Sequence, residues 1–255
     1  MSTLIDTSVF CGHWPFRRLS HRAPQSLKVH LKAKAVSQAW VAAAEAILYP
    51  DPMQANEPLF EAIQGDEFFV PVAVIDVTLA TSLHDGERCL RELGCRALKL
   101  FPNYHGYDLA DPRVGELVEL ARDADVAVCV QLRMMDERSH HPLMKVPGVP
   151  ATDVADLAKE HPGARFLACG AYQANLKPLG EAANVWAEIS LVESEQALKT
   201  AVDALGPDRV VFGSHSPLLY FEAVAAKLEV DPIDVSPEVI RAVREANARA
   251  LLGGA

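Results

Sequence analysis

The sequence predicts an α/β fold with a parallel sheet, closed as a single (β/α)8 TIM barrel, on three observations. Short apolar, β-branched runs alternate with segments of helical periodicity along the whole chain, the pattern of repeated strand-helix units. Eight such runs can be counted, and 255 residues is close to the usual length of an eight-stranded barrel, about 250. No internal repeat, low-complexity tract or long linker divides the chain, so residues 1–255 read as one domain.

The first strand, 3–10, comes from the run Leu4, Ile5, Asp6, Thr7, Ser8, Val9, Phe10 and delivers the chain into a Trp-Pro-Phe-Arg-Arg loop. A helix at 24–33 leads to the second strand, 36–43, and a helix at 56–65 to the third, 69–75. A helix at 82–93 precedes the fourth strand, 95–101. Asp111-Pro112 opens the next helix, 112–123, because proline is tolerated in a first turn where its missing N–H has no partner to lose. The fifth strand, 126–133, is followed by a helix at 151–161, the sixth, 164–169, by one at 174–182, and the seventh, 184–190, by one at 193–204. That last helix reads from Ala197, Leu198, Ala201, Val202 and Leu205 at helical spacing; it starts at Glu193 or Ser194 and stops at Gly206-Pro207. The eighth strand, 208–214, leads to helices at 217–229 and 236–251, the second with Ser236 as N-cap before Pro237. Segments 10–24 and 133–150 are too long for simple connections. Both follow the C-terminal ends of strands, where the function of such barrels resides.

Half the residues are apolar and 23% are charged, which marks a globular chain. A net charge of −10 argues against nucleic acid as a partner, since phosphate backbones demand basic surface. No apolar run approaches the roughly 20 residues that span a bilayer, so no membrane partner is expected. The first residues also lack the basic and apolar regions of a signal peptide. Cys11, Cys89, Cys95, Cys129 and Cys169 are odd in number, include no CxxC pair, and read as reduced thiols. A cytoplasmic protein acting on a small molecule is expected, and a homo-oligomer is compatible with these facts.

Several residues could carry chemistry. Lys99 shares its orientation with Ala97 and Phe101, so an inward ammonium needs a carboxylate partner, which Glu188 or Asp6 could supply. Such a lysine is either a structural ion pair or a substrate anchor with a perturbed pKa. Asn103, Tyr104 and His105 follow it at the barrel mouth, placed to bond a ligand or simply to form a turn. Arg133 and Arg138 stand in a mixed-charge loop with Asp136, Glu137, His140 and His141; they either pair internally or clamp an anionic substrate in bidentate fashion. Trp14 and Phe16 could cover the mouth while Arg17 or Arg18 reads a carboxylate. Walker, GxGxxG, GxSxG and HExxH motifs are absent.

Ile5-Asp6 followed by Trp-Pro-Phe-Arg-Arg, the fourth-strand ending LKLFPNYHGY, the fifth-strand QLRMMDERSHHPL, the eighth-strand GSHSP and the final Asn247-Ala248-Arg249 together resemble the amidohydrolase-related (amidohydrolase 2) superfamily of TIM-barrel metal-dependent hydrolases and decarboxylases. The resemblance implies a metal held by two first-strand histidines, a fifth-strand histidine and an eighth-strand aspartate that also accepts a proton from water. Here Ser8 and Phe10, Gln131, and His215 stand at those positions. A serine hydroxyl is a poor ligand, a phenyl ring none, and an amide a weak one. No cofactor is therefore expected, with zinc as the alternative.

The resulting expectation is a hydrolase for a small carboxylated substrate. His215 is the general base, Lys99 and Gln131 polarise or hold the carbonyl, Arg17, Arg133 or Arg138 bind the carboxylate, and Ser8, Asn103, His105 and Glu188 line the site. Two alternatives remain at this stage: a catalytically degenerate barrel that binds a ligand or partner, and a zinc site rebuilt from His105, His215 and Glu188.

Overall fold

A computed structural model describes residues 3–229 and 234–253. Eight parallel strands follow one another around the sheet in chain order: β1 (Leu4–Cys11), β2 (Val36–Ala43), β3 (Phe69–Val74), β4 (Ala97–Leu100), β5 (Ala127–Gln131), β6 (Arg165–Cys169), β7 (Val185–Glu188) and β8 (Val210–Val211). Residues 212–216 close the ring onto β1: the Thr7 amide donates to Phe212 O (2.9 Å), His215 N to Ser8 O (2.8 Å) and Phe10 N to Ser216 O (2.8 Å). Closure removes the sheet edges, and the strands are buried almost throughout, as parallel strands covered by helices must be.

The helices are α1 (Pro24–Lys32), α2 (Met53–Ile63), α3 (Ser82–Arg91), the short α4 (Pro102–His105), α5 (Pro112–Asp123), α6 (Ala151–Glu160), α7 (Gln173–Gly180), α8 (Ala197–Leu205), α9 (Phe221–Glu229), α10 (Pro237–Arg241) and α11 (Asn247–Leu252). The cap expected at Ser236 is present, its side chain accepting from Val239 N, and the helix expected to open at Asp111-Pro112 does so with the Asp111 side chain accepting from Arg113 N. The strands β4, β5, β7 and β8 are shorter than the sequence suggests, and several helices depart from the expected course for visible reasons. α2 begins three residues early because the Asp51 carboxylate accepts from Met53 N and starts the turn there. α8 begins at Ala197, its entry held by Ser194 Oγ against Thr200 Oγ1 (3.3 Å). α9 begins at Phe221, because Leu218 N and Leu219 N turn back to His215 O. The helix expected at 236–251 carries a π-helical turn, Ala242–Ala246; the Val243 carbonyl there accepts from Phe212 N, outside the helix.

Buried amides tie helices to strands. Asn247 donates to Pro207 O and Val210 O (2.8 Å each), and Asn56 clasps both backbone groups of Val74. Asn184 reaches the carbonyls of Ala158, His161 and Ala164. Each satisfies buried backbone groups that would otherwise be orphaned. Among the described residues no helix is long and apolar enough to cross a membrane.

Candidate active site at the C-terminal end of the barrel

Alternation along the strands carries polar residues into the barrel interior. Asp6, Ser8, Lys99, Gln131, Glu188 and His215, with Phe10 among them, are none more than 3% exposed. The upper layer is built on Phe10. The Lys99 ammonium lies 4.6 Å from the centroid of its ring and 5.8 Å from that of Phe101, and the His215 ring meets it edge-on at 5.0 Å. Cation-π attraction compensates part of the ammonium's lost hydration.

His215 sits at φ +58, a left-handed conformation uncommon for a residue with a Cβ. Its Nε2 donates to Met134 O (2.7 Å); a carbonyl only accepts, so Nδ1 carries the lone pair, and no protein group bonds it. Burial, then the positive charges of Lys99 and Arg17, push the imidazole pKa down to about 3. Gln131 donates to Arg133 O (2.6 Å) and leaves its Oε1 without a partner.

Beneath this layer, Asp6 Oδ1 accepts from Ser214 N (2.8 Å) and Ser8 N (3.3 Å), fixing the seam between the first and last strands. Asp6 Oδ2 and Ser8 Oγ are unpartnered. Burial, with Glu188 adding to it, raises the Asp6 pKa to about 7. Glu188 accepts from Gly170 N, Ser190 N and Ser190 Oγ, and burial raises its pKa too. The layer is close-packed at Gly213, where a Cβ would lie 2.9 Å from Glu188 Cβ and 3.1 Å from Ser8 Cβ.

The structure corrects the pairing expected for Lys99. Glu188 spends its oxygens on backbone and serine donors and Asp6 straps the seam, so among the described residues the ammonium has no carboxylate partner.

Three loops close the mouth. Trp14 is buried, edge-on to Phe16 (5.6 Å) and Tyr104 (6.3 Å), and Phe16 lies 5.8 Å from His141 of the 133–150 segment. Asn103 donates to Pro147 O, so it tethers that segment instead of facing the interior. Arg17 donates to Leu218 O, pinning the first loop to the last. Arg133 stacks 4.2 Å over Tyr172 and bonds Asn175 and Glu137; Arg138, its side chain 80% exposed, pairs with Asp136 and Glu193. Both arginines expected as clamps are thus engaged away from the Lys99 and His215 pair. His105 is buried 3.9 Å from Asp76 beside Phe101 and Tyr107, with burial lowering its pKa; it does not join His215 and Glu188. Sequence reasoning weighed Asp6 only as a partner for Lys99. The signal for more was its shared facing with Ser8, but its leftover oxygen depends on the amide of Ser214, 208 residues away, which no local pattern reveals.

Fold and site define a (β/α)8 barrel with its polar groups gathered at the C-terminal end of the strands. The chain belongs to the amidohydrolase family, whose model matches residues 19–254. Among solved structures, a 2,6-dihydroxybenzoate decarboxylase from Rhizobium is 14% identical, with 99% of each chain covered and a TM-score of 0.75. A 5-carboxyvanillate decarboxylase from Novosphingobium aromaticivorans is 14% identical over 98% of this chain and 96% of that one, with a TM-score of 0.71. A putative amidohydrolase from Staphylococcus aureus is 12% identical over 98% and 99%, with a TM-score of 0.73. At such identities the likeness shows the fold. No curated protein matches the sequence.

These neighbours correct the expectation of no cofactor, or of zinc. The 5-carboxyvanillate decarboxylase is crystallised with bound manganese, so a metal cofactor is what the family implies. The residues of this chain do not fit that group. Among the described residues gathered here, Asp6 Oδ2 and His215 Nδ1 are the only free acidic or imidazole donors, while Phe10 has no lone pair to give, Ser8 and Gln131 offer neutral oxygens, the Glu188 oxygens are taken, and the Lys99 ammonium puts a like charge beside Phe10 and His215. Among the described residues no three His, Cys, Asp or Glu side chains are grouped to hold an ion, which includes the trio of His105, His215 and Glu188.

Proposed function

We propose that this chain acts on a small aromatic carboxylate bound at the C-terminal end of its barrel, with hydrolysis as the reaction. The observation that carries the reading is the Lys99 ammonium, buried between two phenyl rings without a carboxylate partner among the described residues and beside an imidazole with a free lone pair. A buried cation without a counter-ion costs several kcal/mol, and an incoming anion removes that cost. The family supports the substrate class, since two of the neighbours are named for aromatic carboxylates.

In this reading Lys99 stabilises the negative charge that grows on the substrate. The neutral His215 receives a hydrogen bond from substrate or water at Nδ1. A conjugate acid with a pKa near 3 drives proton transfer weakly. Substrate charge set against Lys99 cancels part of the field that depresses it, so binding itself moves His215 toward a working base. Gln131 Oε1 and Ser8 Oγ are further unpartnered groups that orient the ligand. Access requires the Trp14 loop to lift.

The protein is read as one domain, 1–255, cytoplasmic, with its five buried cysteines as thiols and with neither nucleic acid nor membrane as partner; a homo-oligomer is compatible with this. Turnover of a panel of aromatic carboxylic acids, esters and lactones tests the reaction. The reading expects at least one to be consumed, with the rate lost in Lys99→Met and in His215→Gln. A second reading is a ligand-binding barrel without turnover, favoured by the fully buried Phe10, which fills the middle of the inherited site. Binding of an aromatic carboxylate with no product from any member of the panel selects it, and no binding at all sinks both.

A further inference from the structure

Charge is unevenly spread along the chain. Between residues 7 and 44 there is no Asp or Glu, while Arg17, Arg18, Arg22, Lys28, Lys32 and Lys34 all fall there, in a protein of net charge −10. Two of these cations find carboxylates from elsewhere, Lys28 at Asp66 (2.6 Å) and Lys34 at Glu222. Arg18 makes no ion pair among the described residues, and Arg17 bonds only the Leu218 carbonyl.

Four basic side chains of this stretch, Arg17, Arg18, His21 and His30, line a cavity of about 180 Å³ between the loop after β1 and the turn before α9. Its far wall includes Leu218 and Glu222. The Glu222 carboxylate is held by Lys34, which leaves the arginines uncompensated. His21 sits at φ +54, a backbone state that costs about 1 kcal/mol or more and persists only where the surroundings impose it. Its ring stacks on His30, centroids 4.3 Å apart and planes 15° from parallel. Two arginines and two histidines therefore border one small volume, alongside the hydroxyl-bearing Ser20, Ser216 and Tyr220, and its one lining carboxylate, Glu222, is already engaged by Lys34. The volume is that of several waters and suits a compact anion.

We infer that this cavity is a binding site for a small oxyanion, a carboxylate or phosphate group, separate from the barrel centre. Arginine presents a planar fork of donors matched to two oxygens of such a group, and Arg17 keeps donors beyond the one given to Leu218. The inference does not depend on the reading of Lys99 above.

The test is a titration of the full chain, in low-salt buffer, with inorganic phosphate and separately with malonate, followed by calorimetry and by the imidazole resonances of His21 and His30. Saturable binding that moves both sets of resonances is expected, weakened at least tenfold in Arg18→Gln. Tighter binding of phosphate assigns the site to phosphate esters, and tighter binding of malonate to carboxylates. Arg18 is exposed, so the variant is expected to keep the wild-type melting temperature. No resonance shift with either anion up to about 10 mM, or equal affinity in Arg18→Gln, overturns the proposal.

Discussion

Lys99 is where chemistry and stability pull in opposite directions. An ammonium without a counter-ion in the barrel interior destabilises the fold, and Lys99→Met leaves a side chain of similar length to pack against Phe10 and Phe101. We expect that substitution to raise unfolding free energy by about 1–3 kcal/mol, read by urea denaturation, while removing ligand binding. Asp6 and His215 make a second, signed prediction. Asp6 titrates near 7 in the folded chain against 3.8 unfolded, so between these values the native state holds a proton that the unfolded chain has lost, and stability falls as pH rises. His215 titrates near 3 folded against 6.5 unfolded, so there the unfolded chain takes up the proton, and stability falls as pH drops. From about pH 4 to 6.5 the two slopes oppose. Relative to wild type, Asp6→Asn should make stability climb more steeply with pH, and His215→Gln less steeply, each by about 1 kcal/mol per pH unit in denaturation curves taken across that range.

At the scale of elements, the sequence reading succeeded where a side chain acts on its own backbone and stopped short where a distant group decides. The helix start at Asp111-Pro112 and the Ser236 cap rest on local bonds, and both were legible. The π-helical turn at 242–246 answers to Phe212, about thirty residues away, and no local pattern announces it. The same limit applied to the site. Inward facing of Lys99, Gln131 and His215 follows from strand alternation, but the capture of Glu188 by Gly170 and Ser190 does not, and with it went the ion pair expected for Lys99. Arg133 and Arg138 chose partners within their own loop and neighbours, an outcome the mixed charge of that loop allowed as readily as a substrate clamp. Asn247 offers the element-scale test. Asn247→Ala orphans the Pro207 and Val210 carbonyls at the start of β8, and we expect a loss of about 2 kcal/mol, a fall in melting temperature of about 4–8 °C by calorimetry.

For the molecule as a whole, eight strands in chain order and their closure through 212–216 give a rigid frame whose C-terminal end gathers the polar groups. The family model matches from residue 19 onward, and the motif resemblance at Ile5-Asp6 and Gly213-Ser214 is followed by Ser8 and Phe10 on the first strand and by His215 on the last. The result is an interior that holds buried polar groups beneath packed loops, which in the proposed function move for a ligand to enter. The central claim is that the Lys99 ammonium receives an aromatic carboxylate. Calorimetric titration of the wild type and Lys99→Met with 2,6-dihydroxybenzoate tests it most directly. Removing one partner of a buried charge pair costs about 2 kcal/mol or more, so we predict saturable binding to the wild type that is weakened about 30-fold or more in the variant. Equal affinity of the two proteins, or no binding to the wild type, would contradict it.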